Sequence, residues 1–108
     1  MRSVGFRELP ERGPAPELWG IRLDGPAERL YCDLDGRMAL VRALYGMDAR
    51  GWRVLDTTDP DVALVELGRP LEWIVAEESD MRALMACLRR NGCHGSYRKA
   101  GPEKEYRF

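Results

Sequence analysis

The chain has 108 residues, 44% apolar and 32% charged, with a formal net charge of −1 and a pI of about 5.9. That length and composition suit one domain with an ordinary core and exclude a disordered chain. No apolar run reaches the roughly 20 residues of a membrane span, so no membrane partner is expected. The average charge hides blocks. Residues 54–80 set Arg69 against eight acids, whereas residues 81–108 set seven bases against two. Such blocks are usually solvated faces and sometimes faces that meet a partner.

In the first 28 residues, turn formers (Pro10, Gly13, Pro14, Pro16, Gly20, Gly25, Pro26) separate two short runs of strand character, 4–9 and 18–23. Trp19, Ile21 and Leu23 alternate with Gly20 and Arg22, the period of a half-buried strand. The spacing predicts an N-terminal extension over 1–28, a hairpin or loose arm closed around 10–16. An α+β core domain follows over 29–100, then a charged tail over 101–108. Nothing at Met1–Gly5 resembles a signal peptide, and three cysteines at irregular spacing suit reduced thiols, so a cytoplasmic location is expected.

A third strand is expected over 29–34, with Leu30, Cys32 and Leu34 on one face. From residue 37 to about 50 the pattern turns helical, with Met38, Val41, Leu44, Tyr45 and Met47 on one stripe. Asp35 is placed as its N-cap and Gly51 as its stop. Residues 52–56 read as a short strand, and 62–67 as a central one. Pro70 then breaks or bends the run that resumes over 71–76, giving either one bent strand or a hairpin. Ser79 or Asp80 caps a second helix carrying Met81, Leu84, Met85 and Leu88, which Gly92 ends. A last strand is expected over 96–99. From residue 29 this order predicts a ferredoxin-like βαββαβ domain, an antiparallel sheet with two helices on one face.

The stretch from Arg29 to Gly92 resembles an ACT-type regulatory domain. Asp35-Gly36 opens the helix after the first strand, and Gly51-Trp52-Arg53-Val54 opens the second strand. The Pro-Gly common in that family's turn is absent, Arg37-Met38 standing in its place, and Pro70 interrupts the third strand. The resemblance implies a small regulatory module that binds an amino-acid-like ligand, usually at a dimer interface. Carried onto this sequence, it places Asp35, Gly36, Arg37, Gly51 and Trp52 at the ligand. The expectation is therefore a non-enzymatic binding or regulatory module, a homodimer with a small ligand or a protein partner and no cofactor. The alternative is a protein-interaction adaptor or inhibitor that uses the charged surfaces.

Three further patterns touch chemistry. Leu30 to Gly36 resembles the Asp-x-Asp-Gly nucleophile motif of haloacid-dehalogenase-type phosphatases. Arg37 follows where that family has Thr or Val, and 108 residues leave no room for its parallel-sheet core. Asp33 therefore reads as a solvent-facing strand residue. Cys87, Cys93 and His94 could complete a zinc set only with Cys32, whereas zinc sites favour paired short spacings, so no metal is expected. Arg89, Arg90, Arg98, Lys99, Lys104 and Arg107 lie among Tyr97, Tyr106 and Phe108. Glu103, Glu105 and the acidic pI speak against nucleic acid.

Overall fold

The computed structural model describes residues 17–99, 101 and 104–108. The strand expected over 4–9 and the hairpin around 10–16 lie outside these residues. The elements run β1 (Leu18–Cys32), α1 (Leu34–Gly46), β2 (Arg53–Asp56), β3 (Ala63–Glu77), α2 (Met81–Arg90), β4 (Gly95–Lys99) and β5 (Tyr106–Arg107). A 3₁₀ turn over Glu78–Asp80 leads into α2. The protein is α+β, with one five-stranded antiparallel sheet in the order β2-β3-β1-β4-β5 and two helices.

The run expected over 18–23 and residues 29–32 of the run expected over 29–34 are a single strand, so the division drawn at residue 28 falls within β1; Leu34 instead opens α1 and is exposed. Likewise 62–76 is one bent strand, β3. These two central strands pair at both ends, from Leu18 opposite Glu77 to Arg22 opposite Trp73 and from Arg29 opposite Glu66 to Cys32 opposite Ala63, with Ala27 opposite Leu71 between them. Irregularities flank Ala27, but Arg22 opposite Trp73 and Arg29 opposite Glu66 enclose six residues on each strand, so the register is recovered. A one-residue slip exchanges the faces of a strand. Accordingly the buried positions change parity, from Ile21 and Leu23 to Leu30 and Cys32 in β1, and from Ala63 and Val65 to Ile74 and Ala76 in β3.

The outer strands reach only part of this ribbon. β4 flanks β1 at 19–23, and β2 flanks β3 at 63–66. Pro26 and Pro70 fall in the waist between, where no outer strand asks for the N–H that proline lacks. Two side chains occupy other free edges. Asn91 accepts the Tyr31 N–H at 2.8 Å and donates to the Tyr31 carbonyl at 2.9 Å, and the Val75 N–H donates to Met47 Sδ at 3.4 Å.

One core forms where the helices meet the sheet: Ile21, Leu30, Val65 and Ile74 against Leu40 and Leu44 of α1 and Leu84 and Leu88 of α2. Each such side chain contributes about 1.5–3 kcal/mol on full burial. The stripe expected on α2 is the one buried. On α1 the buried stripe is Gly36, Ala39, Leu40, Ala43 and Leu44, while Met38 and Tyr45 are exposed. Small residues beside Leu40 and Leu44 let α1 lie close, and Leu34, Met38 and Tyr45 point outward.

The caps also differ from expectation. Asp33, not Asp35, caps α1, accepting the Gly36 N–H at 2.8 Å, and Asp35 lies in the first turn. An N-cap keeps extended backbone, and the end of β1 supplies it at Asp33. Gly51 does not stop the helix. Asp48, at φ 56°, takes the left-handed turn, with Asp48 N–H bonded to Tyr45 O and Ala49 N–H to Leu44 O. That is a Schellman closure, with aspartate in the place glycine usually holds. On α2, Gly92 (φ 73°) makes the same closure through Arg89 O, with Cys93 N–H on Leu88 O. Asp80 stands at the start of α2 but makes no cap bond.

Candidate functional site

The five residues implied by the ACT resemblance do not converge. Asp35 and Arg37 line a cavity of about 400 Å³ at the start of α1, walled opposite by Asp56, Pro60 and Asp61. Gly36 is buried beside it because α1 crosses α2 there. A Cβ at Gly36 would lie 3.1 Å from Asp33 Oδ1 and 3.2 Å from Cys87 Cβ. Gly51 and Trp52 lie beyond the other end of α1, a helix of 13 residues and so about 20 Å long. Gly51 (φ 79°) packs on Gly68, whose own Cβ would come 2.6 Å from the Arg50 carbonyl oxygen. Trp52 meets Tyr45 edge-on at 5.3 Å and lines a separate cavity of about 320 Å³ with Leu67 and Pro70. Both glycines of the resemblance thus have packing reasons for being glycine.

The first cavity is acidic. Asp33, Asp35, Asp56 and Asp61 face one cation, Arg37. Its outer wall, the β2–β3 turn, is braced from within: Thr57 Oγ1 accepts the Asp59 N–H at 3.1 Å and can donate to Val62 O at 2.9 Å. Asp61 N–H donates to Asp59 Oδ1 at 2.9 Å. Cys32 reaches the inner end of this cavity, and its Sγ stands 2.9 Å from Cys87 Sγ. Cys93 and the exposed His94 lie in the loop after α2, and all three cysteines are free thiols. Among the described residues no set of three or more His, Cys, Asp or Glu is arranged to hold a metal ion.

The second concentration of chemistry lies on the sheet face turned away from the helices. Residues directly opposite in antiparallel strands share a face, with strands about 4.8 Å apart. The register therefore aligns Arg98, Gly20 and Val75 in one row, and Arg107, Ser96, Arg22 and Trp73 in the next. Beyond the waist come Arg29, Glu66 and Arg53, then Tyr31, Leu64 and Leu55. Trp73 is 57% exposed and Tyr31 47%. The Trp73 indole lies over Gly20, where a Cβ would make ordinary contact with Cζ3 at 3.9 Å.

The charges on this face are unevenly answered. Arg53 Nε donates to Glu66 Oε1 at 2.8 Å, and Arg107 holds Asp24 through two bonds of 2.7 and 3.2 Å. Those bonds from Arg107 hold the Asp24 carboxyl below its ordinary pKa. Arg98 reaches the Gly101 carbonyl at 3.4 Å, and among the described residues Arg22 and Arg29 make no ion pair or hydrogen bond. A shallow cavity of about 370 Å³ lies between Arg22 and Trp73, bordered by Glu72.

Sequence reasoning missed this face. It looked for basic and aromatic residues together in the C-terminal stretch. There Tyr97, Tyr106 and Phe108 instead cluster with Trp19, at ring separations of 5.4 to 6.5 Å, and close the end of the core. The signal available was alternation, exposed Arg29 and Tyr31 alternating with the buried Leu30 and Cys32. Pairing those residues with Trp73 and Arg53 needed the strand order. Comparison of the chain with protein-family models, with curated proteins and with solved structures gave no match.

Proposed function

We propose that the chain is a non-enzymatic protein-interaction module whose open sheet face receives an acidic segment of a partner protein. The observation that carries this reading is the grouping of Arg22, Arg29, Arg53, Arg98 and Arg107 with exposed Trp73 and Tyr31, three of the guanidiniums making no ion pair among the described residues. Arginine and aromatic side chains are the usual anchors of protein interfaces. Carboxylates answer guanidinium geometry with paired hydrogen bonds. A long polyanion such as nucleic acid fits less well, because the Asp-rich β2–β3 turn at one end would repel it. A second copy would set arginines against arginines. A homodimer is therefore better assigned to the short exposed edge strand β2 than to this face.

The test is a titration with a Glu-rich peptide, followed by tryptophan fluorescence, at low salt and at 1 M salt, where the Debye length is about 3 Å. Binding should weaken at high salt and be lost in R22E/R29E, while W73A weakens it at either salt. Salt-insensitive binding, retention by R22E/R29E, or tighter binding of single-stranded DNA than of the peptide would each overturn the reading.

A second reading keeps the small ligand implied by the ACT resemblance. It is favoured by one observation, that Asp35 and Arg37 line the same cavity. Asp35 and Asp61 suit an ammonium group and Arg37 a carboxylate. Melting against a panel of amino acids should then show a stabilising shift absent in R37A; a flat panel removes this reading. The ferredoxin-like description belongs with it. It is supported by the central placement of β1 and β3 with β2 and β4 outside them, β5 being an addition at the edge.

A further inference from the structure

Neither the open face nor a ligand at the start of α1 makes use of the two thiols behind that cavity. Cys32 ends β1 immediately before the capping Asp33, and Cys87 lies on the inner side of α2. They are 55 residues apart in sequence and both are buried, yet their Sγ atoms stand 2.9 Å apart. A disulfide requires about 2.05 Å, so closure asks for less than about 1 Å of movement. The packing around the pair is tight on the side of Gly36 and polar on the side of Asn91, whose amide lies 3.8 Å from Cys87 Sγ.

The two thiols are not equivalent. The hydrogen bond between them, in which either sulfur can be the donor, holds the Cys32 thiol below its ordinary range and, with burial, pushes the Cys87 thiol up. Cys32 lines the cavity and Cys87 does not, so Cys32 is the thiol an oxidant entering there meets first and Cys87 the partner that resolves it.

We propose that Cys32 and Cys87 form a peroxide-oxidisable dithiol that closes into an intrachain disulfide. In the first step the Cys32 thiolate attacks one oxygen of hydrogen peroxide. The O–O bond breaks, Cys32 becomes a sulfenic acid, and hydroxide leaves and takes up the proton that Cys32 released, giving water. In the second step Cys87 Sγ attacks Cys32 Sγ, the S–O bond breaks, and the departing hydroxide takes the Cys87 proton as a second water. Two thiols are oxidised by two electrons and one peroxide is reduced to two waters. Because both thiols are buried, the reaction waits on local opening of the cavity's inner end and is slower than oxidation of an exposed thiol. The carboxylates of Asp33, Asp35, Asp56 and Asp61 stand along that route. They admit neutral peroxide and disfavour anionic oxidants such as oxidised glutathione.

The experiment treats the reduced, full-length protein with hydrogen peroxide and maps its peptides without reduction. The expected product has lost the mass of two hydrogen atoms, with Cys32 joined to Cys87, and melts higher by upwards of about 10 °C. C93S should give the same crosslink. C87S should stop at a sulfenic acid on Cys32, captured by dimedone in the folded protein. Cystamine, a cationic disulfide, should form the crosslink several times faster than oxidised glutathione. Peroxide that consumes Cys93 while Cys32 and Cys87 stay unlinked overturns the proposal, as does dimedone labelling of C87S only after unfolding. Equal rates for the cationic and anionic disulfides overturn the acidic route.

Discussion

At its start α1 is capped by Asp33, whose carboxylate accepts the Gly36 N–H. At the start of α2 the corresponding Asp80 gives its two oxygens to Arg42 of α1, at 2.7 and 3.0 Å. At their ends both helices make the same Schellman closure, α1 with Asp48 and α2 with Gly92. One aspartate therefore serves its own helix, a second ties its helix to the neighbour, and a third fills a position that favours glycine. Residue type at a helix end does not by itself fix the task. The backbone on either side and the nearest cation decide it.

The largest expected effects test whether the helices share one cooperative unit. Leu40→Ala and Leu84→Ala each remove a fully buried side chain and should cost about 2–5 kcal/mol. Chemical denaturation should show one transition in both variants; two separable transitions would mean that the helices melt independently.

Next comes the contrast between the two N-terminal aspartates. Asp80 is 10% exposed and its Arg42 partner 54%. Asp80→Ala should cost about 2 kcal/mol through the lost charged hydrogen bonds. Asp33→Ala should cost about 1 kcal/mol as a lost cap, with Asp33→Asn near neutral because asparagine also caps. If Asp80→Asn were equally harmless, the tie to Arg42 would not contribute as a charge pair.

Smaller and opposite in sign are the two C-terminal changes. Asp48→Gly should stabilise by roughly 0.5–1 kcal/mol, and Gly92→Ala should destabilise by about as much, since only glycine adopts positive φ without steric cost. Paired denaturation curves would check both. The smallest effect sets the exposed pair of Arg107 and Asp24 against the half-buried pair of Arg42 and Asp80. The Asp24 carboxyl is depressed, so its contribution is present above the unfolded carboxyl pKa of about 3.9 and is lost as pH falls through the folded value. Arg107→Gln should therefore lower stability slightly on the neutral side, leave the acid end unchanged, and so flatten the fall between them.

These contrasts mark how far the sequence could be read. The stripe on α2 and its Gly92 stop were legible, because an amphipathic period and a terminal glycine are local signals. The end of α1 was not. Gly51 offered the usual left-handed residue, but the chain had already turned at Asp48, and Gly51 was needed instead for contact with Gly68. The strand at 18–23 was legible as alternation, while its continuity with 29–32 was hidden by Gly25-Pro26, which reads as a break and is a waist. Cys32 and Cys87 each looked like a small apolar residue. Their meeting depends on where α2 crosses the end of β1, which no spacing encodes. The open face required the strand order as well.

The edge contacts of β1 and β3 bear on how the chain behaves at high concentration. A sheet with partly flanked central strands invites a foreign strand to add along the free edge, the first step toward aggregation. Here the Asn91 amide occupies the place of a neighbouring peptide group at Tyr31, Met47 blocks Val75, and Pro26 and Pro70 remove donors from the waist. The gap that the short outer strands leave is thus closed one residue at a time, and colloidal stability rests on four side chains, of which Met47 also packs against the core.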